Sequence, residues 1–176
     1  MLATADFREL VKNGLLLAVD LILTDAEGRV LMGKRQNAPA RGFWFVPGGR
    51  IFKNETLAQA IQRVSSTELS VAIAPAAVTV RGLFLHHYPD NVFGDPGFDT
   101  CYWVIACQAA LPEEGFRPDS QHEDLRLWDP QSLLADPTVH RYTKNYFVAD
   151  PDNLFFACQA PVEPVGLTGE RPVRGS

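Results

Sequence analysis

The stretch Gly48-Gly49-Arg50-Ile51-Phe52-Lys53-Asn54-Glu55, continuing through Thr56-Leu57-Ala58-Gln59-Ala60-Ile61-Gln62-Arg63-Val64 to Glu68, decides how the rest of the chain is read. Leu57, Ile61 and Val64 recur at helical spacing, and Thr56 with Gln59 three residues later forms a capping-box pattern that would start the helix. The paired glycines before it predict a strand end and a turn, where a bare backbone lets a carbonyl or N–H approach a ligand closely. Arg50 lies beside that turn. Arg63 and Glu68 are roughly 140° apart around the helix, so they flank one side and are expected to face a ligand. Each piece alone has an ordinary explanation: Gly-Gly before a helix is a common turn, and a helical Arg or Glu is commonly solvated.

Composition narrows the classes. A chain of 176 residues, 46% hydrophobic, suits a single domain with an ordinary core, here expected over residues 1–150 with a Pro- and Gly-rich tail over 151–176. A net charge of −5 argues against general binding to nucleic acid or a membrane surface, both of which want a basic footprint. The apolar run Leu15 to Leu23 is broken by Asp20 and is far shorter than the ~18 to 20 residues of a membrane span. Acidic Asp6 and Glu9 stand where a signal peptide would be basic, so none is expected. Cys101 and Cys107 fall on one predicted strand, roughly 20 Å apart at ~3.3 Å per residue, too far to bridge. Three cysteines without a framework suit a reducing cytoplasm.

Along the chain, Asp6 reads as the cap of a short amphipathic helix that carries Phe7, Leu10 and Val11 and ends at Gly14, an N-terminal arm over residues 1–14. Leu15 to Leu23 and Val30 to Arg35 read as a hairpin around Asp25-Ala26-Glu27-Gly28. Asp20 sits inside the first strand, where an unpaired buried carboxylate costs several kcal/mol; it lies at a ligand pocket or has a structural partner. Arg35 and Arg50 would bracket the glycine turn, and guanidinium forks suit phosphate oxygens. Strands are expected at Val78 to Tyr88, Thr100 to Leu111 and Leu125 to Trp128, with a Gly/Pro/Asp-rich loop between the first two that is a lid or a plain connection. Asp129 and Pro130 open a short helix through Ala135, and Val139 to Ala149 reads as a longer one. Histidines and tyrosines at strand ends, among them His86 and Tyr102, are ordinarily surface residues, and His122 in its loop is ordinary too.

The spacing of Gly49, Glu55, Arg63 and Glu68 resembles the Nudix box of the Nudix hydrolase superfamily. Val64 and Thr67 stand where the family pattern has two further glutamates, and Ser70 replaces a glycine near the end of the box. The words Gly33-Lys34-Arg35, Gly42 to Arg50 and Asp119-Ser120-Gln121-His122-Glu123-Asp124 resemble the GDP-mannose mannosyl hydrolase branch, and the resemblance runs to about Phe147.

That resemblance implies an α/β Nudix fold, a mixed sheet between helices. It implies one Mg²⁺ held by the Gly48 carbonyl, Glu68 and Gln121, since Val64 and Thr67 remove the carboxylates that gather several ions. Arg35 and Arg50 would offset charge on a departing diphosphate, His122 would be the base, and Asp20, His86 and Tyr102 would contact the sugar or leaving group. The arm carrying Phe7 would help build a homodimer and reach the nucleotide. The implied reaction is hydrolysis of GDP-mannose or GDP-glucose to GDP and free sugar at the anomeric carbon, with inversion. Two rivals stand beside it, a pyrophosphohydrolase cutting between the phosphates and a nucleotide-sugar sensor without catalysis.

Overall fold

A computed structural model describes residues 2–112 and 125–148, and the backbone of Leu154–Ala157. Its elements are α1 (Thr4–Asn13), β1 (Leu16–Thr24), β2 (Val30–Lys34), β3 (Trp44–Phe45), β4 (Gly48–Arg50), α2 (Leu57–Leu69), a 3₁₀ turn at Pro75–Ala77, β5 (Thr79–Tyr88), β6 (Thr100–Ala110), β7 (Leu125–Trp128), α3 (Pro130–Ala135), α4 (Arg141–Lys144) and β8 (Leu154–Ala157). The described strands join in one mixed sheet in the order β3-β2-β1-β6-β5-β8, with β4 pairing β1 and β7 pairing β2. β1 runs parallel to β6, and the other pairings are antiparallel. Helices cover both faces, so the expected α/β Nudix architecture is the one observed.

Two cores explain the layering. Alternate residues of β1 point to opposite faces. Val19, Leu21 and Leu23 meet Ile61, Val64 and Leu69 of α2 on one side, while Ile22 joins Met32, Trp44, Phe84, Leu133 and Tyr146 on the other. Val64 is 1% exposed, and burial of that kind contributes about 1.5–3 kcal/mol for a valine side chain. The start of α2 is the predicted capping box: the Gln59 amide donates to Thr56 Oγ1 at 3.2 Å, and the Thr56 amide donates to Gln59 Oε1 at 2.8 Å. Asp129 caps α3 as expected, accepting from the amides of Gln131 and Ser132 at 3.0 and 3.1 Å.

Five local expectations are corrected. The glycine pair is no turn: Gly48–Arg50 is a strand whose residues lie opposite Asp20, Val19 and Ala18. The chain reverses later, where Asn54 has φ 68°. The hairpin of β1 and β2 pairs only at Thr24 and Val30, because β1 is taken over by β4 and β6, and β2 by β3 and β7. The first helix begins at Thr4 after Ala3 with no side-chain cap, so Asp6 lies in its first turn. The last helix is one turn long, because Val139 forms a bridge with Trp44 and must stay extended. Beyond Lys144 the winding tightens to bonds three residues apart, from Tyr146 N to Thr143 O and Phe147 N to Lys144 O. Finally, Leu154–Ala157 pairs with β5, within the stretch that composition suggests is a loose tail.

Candidate active site

The strands converge on a cleft of about 650 Å³ beside the β1 and β4 pairing. Phe7, Asp20, Arg35, Gly48, Arg50, Glu68, His86 and Tyr102 all line it, so the eight predicted site residues within the described part of the chain share one cavity. Gln121 and His122 lie outside the described residues. Register accounts for much of the convergence. Asp20 lies opposite Gly48 across β1 and β4, and His86 lies opposite Tyr102 across β5 and β6.

Gly48 is required by that first pairing. A Cβ there would run into Asp20 Oδ1 and come within 2.9 Å of the Val19 carbonyl oxygen. At Gly49 a Cβ would press on Val64 Cγ2 at 3.1 Å. The glycines thus serve close packing of a strand against a carboxylate and a helix, with no positive φ involved.

The cationic side chains rest on aromatic rings. The Arg35 guanidinium lies 5.0 Å from the Phe45 ring centre and 5.8 Å from that of Tyr88, and the Arg50 guanidinium lies 3.8 Å from Phe7. Such shelves hold a guanidinium by cation–π attraction while its N–H edge remains available to phosphate oxygens. Phe7 reaches Arg50 from α1 of the same chain. The helix is tied to the loop between β5 and β6 by Phe7 against Phe93, with ring centres 5.5 Å apart, and by the ion pair of Arg8 with Asp95. That loop is wrapped around buried Asn91, whose side chain bonds the backbone of Phe93, Asp95 and Phe98, and its Val92 lines the cleft.

Arg63 does not face the cleft, contrary to expectation. Its guanidinium takes both Glu55 oxygens and the Arg50 carbonyl instead. Glu68, at the other end of α2, does line the cleft.

Behind the cleft stands a set of aromatic residues that local sequence patterns do not single out. Tyr146 donates to or accepts from two site residues, with its hydroxyl 2.6 Å from Asp20 Oδ2 and 3.3 Å from His86 Nε2. His86 stacks on Tyr142 at 4.2 Å, nearly parallel, and the Tyr142 hydroxyl clips β5 by accepting from the His87 amide and donating to its carbonyl. Desolvation by the surrounding protein raises the Asp20 carboxyl to about 6, against the lowering effects of the Tyr146 hydrogen bond and Arg35. Burial, helped by nearby His140 and Arg35, lowers His86 to about 3, so its ring is neutral at physiological pH. Burial likewise raises the Tyr102 hydroxyl and lowers Arg50.

A Nudix family model, described as the NUDIX domain, matches residues 14–149. The chain belongs to the Nudix hydrolase family. The low-salt glycan biosynthesis protein Agl8 of Haloferax volcanii is 38% identical over 138 residues, which span 78% of this chain and 85% of that one. Among solved structures, the MutT protein of Methanosarcina mazei superposes with a TM-score of 0.58 at 15% identity, covering 74% of this chain and 88% of its own. The E. coli dihydroneopterin triphosphate pyrophosphohydrolase gives 0.55 at 19% identity, covering 73% and 90%. These structures share the fold.

Nudix hydrolases generally use divalent metals such as Mg²⁺. The cleft offers hard oxygen donors, the Glu68 carboxylate and the backbone at Gly48, which suit that ion. Among the described residues no three His, Cys, Asp or Glu side chains cluster as a metal site. No helix among the described residues is long and apolar enough to cross a membrane.

Proposed function

We propose that this chain is a Mg²⁺-dependent hydrolase of a nucleotide diphosphate sugar, GDP-mannose or GDP-glucose, that releases GDP and the free sugar by attack of water on the anomeric carbon. The observation that carries this is the single acid of α2. Glu68 is the only carboxylate between Leu57 and Leu69, and it lines the cleft. The position where the family pattern has a second glutamate is Val64, buried in the core beneath Gly49, so this chain places no carboxylate there. Attack on phosphorus assisted by several ions has too few ligands on such a helix. The name of the Haloferax relative, a glycan biosynthesis protein, accords with a sugar-bearing substrate.

In this mechanism Arg35 and Arg50 grip the diphosphate, each guanidinium held by its aromatic shelf. The Gly48 carbonyl, Glu68 and Gln121 would hold Mg²⁺, which would supply further positive charge for the departing group. Asp20, His86 and Tyr102 hold the sugar. His122 takes a proton from water as its oxygen bonds to the anomeric carbon, the bond from that carbon to the diphosphate oxygen breaks, and the electron pair leaves on GDP. A single base with water opposite the leaving group inverts the centre. A diphosphate leaves as a stable anion, so no acid is needed to protonate it.

Incubation of the full chain with Mg²⁺ and a panel of nucleotide sugars tests this. GDP and free sugar are the expected products. GMP with a sugar 1-phosphate would overturn the proposal in favour of a pyrophosphohydrolase, and tight binding without any product would make the protein a sensor. The same reading includes a cytoplasmic homodimer involving α1. Exposed Leu10, Leu15 and Leu17 are apolar groups such an interface would cover, and sedimentation of the full chain reads the oligomeric state.

A further inference from the structure

Tyr146 is 126 residues from Asp20 along the chain, yet its hydroxyl is the hinge of a three-group chain. The ring is buried, packed edge-on against Phe84 with centres 4.8 Å apart, so the hydroxyl has little freedom to move. Asp20 Oδ2 is 2.6 Å away and His86 Nε2 is 3.3 Å away on the same oxygen. The other carboxylate oxygen, Oδ1, is the one that lies against Gly48. A phenol has one proton to give. An ionised Asp20 can only accept, so it takes that proton, and the phenol oxygen must then accept from His86. His86 is thereby held with its proton on Nε2 and a bare Nδ1. Stacking between Tyr142 and Tyr146, at 4.2 and 6.0 Å, fixes the plane of the imidazole.

We propose that Tyr146 is a positioning residue that sets the sugar selectivity of this cleft, by occupying one oxygen of Asp20 and fixing the tautomer of His86 so that one Asp20 oxygen is left for a sugar hydroxyl. The proposal rests on the nucleotide-sugar reading of the cleft. A carboxylate reduced to one free oxygen in a fixed direction accepts from a hydroxyl of one configuration; two sugars that differ at one carbon present that hydroxyl on opposite faces, and the mismatched one leaves a buried acceptor unpaired. Tyr146→Phe keeps the ring against Phe84 and removes only the hydroxyl, which frees Oδ2 and lets the carboxylate turn.

Titration calorimetry of wild type and Tyr146→Phe with GDP-mannose, GDP-glucose and GDP, each without metal so that no sugar nucleotide is turned over, tests this on protein shown to be folded. The ratio of the two sugar-nucleotide affinities should narrow about tenfold in the variant, with GDP affinity unchanged within about twofold. An unchanged ratio, or equal loss for all three ligands, would overturn the proposal. Nitrogen NMR of the histidine rings in wild type gives a second reading that survives a variant too unstable to study. His86 should show a protonated Nε2 and a bare Nδ1 at neutral pH, and the opposite tautomer would refute the chain. Selective binding without hydrolysis would sink the enzymatic reading and leave this one standing, whereas hydrolysis with an unchanged ratio in Tyr146→Phe would do the reverse.

Discussion

Arg63 holds both oxygens of Glu55, at 2.7 and 2.9 Å, and reaches the Arg50 carbonyl at 2.6 Å with the same guanidinium. The Glu55 carboxylate also accepts from the Phe52 amide at 2.9 Å. The pair therefore ties the loop from Arg50 to Glu55 onto α2 and sets where Arg50 leaves β4. A lysine presents a point charge that cannot span three acceptors. Arg63→Lys should lose about 1–3 kcal/mol in urea unfolding and weaken diphosphate binding through Arg50. A variant within about 0.5 kcal/mol of wild type would show that the loop stands without this pair.

Ser70 ends α2 with φ 54° and ψ 25°, the left-handed conformation in which the family pattern has glycine. A side chain there costs roughly 1–2 kcal/mol, of which glycine gives back about 0.4–1 kcal/mol as extra freedom in the unfolded chain. Ser70→Gly should therefore raise stability by about 0.5–1 kcal/mol, read as a higher urea midpoint at constant m-value. An unchanged or lower midpoint would mean that the serine is not strained. Ser70 is exposed, so no packing change competes with the effect.

Burial lowers His86 to about 3 and His140 to about 4. Both rings stay neutral in the fold while the unfolded chain takes up protons near pH 6.5, so the stability they contribute is fully present above that pH and is lost as pH falls toward 4. Asp20 runs the other way. Its carboxyl, raised to about 6, binds a proton in the fold before the unfolded chain does, which adds stability as pH falls from 6 to 3.8. Two groups oppose one, and these three together should lower the melting temperature between pH 7 and pH 4.5. Proton NMR should show the His86 ring unprotonated from pH 8 to pH 5. A titration with a midpoint near 6.5 would contradict its burial.

Elements built on short-range signals were legible from the residues alone. The Thr56 and Gln59 box with Leu57, Ile61 and Val64 marked α2, Asp129-Pro130 marked α3, and the apolar runs marked β5, β6 and β7. What could not be read locally depended on distant partners. A glycine pair looks alike in a turn and in a strand that must approach Asp20 and Val64 closely. Val139 cannot be helical because Trp44, nearly a hundred residues earlier, binds its neighbours: Trp44 donates to the Thr138 carbonyl and accepts from the His140 amide. Tyr146 carries no motif, and only its hydrogen bond across the domain marks it as part of the site. The Asp20 reading offered two choices, a pocket or a structural partner, and the structure supplies both at once.

Which bond breaks is decided most directly by hydrolysis of GDP-mannose in ¹⁸O-water, with the products resolved by mass spectrometry. With Glu68 as the one carboxylate of α2 at the cleft, and His122 as the base, the label should appear in the free mannose beside unlabelled GDP. The α-linked sugar should emerge first as the β anomer by proton NMR. Label in a phosphate, whether on GDP, GMP or mannose 1-phosphate, or an initial α anomer, would contradict attack on the anomeric carbon with inversion.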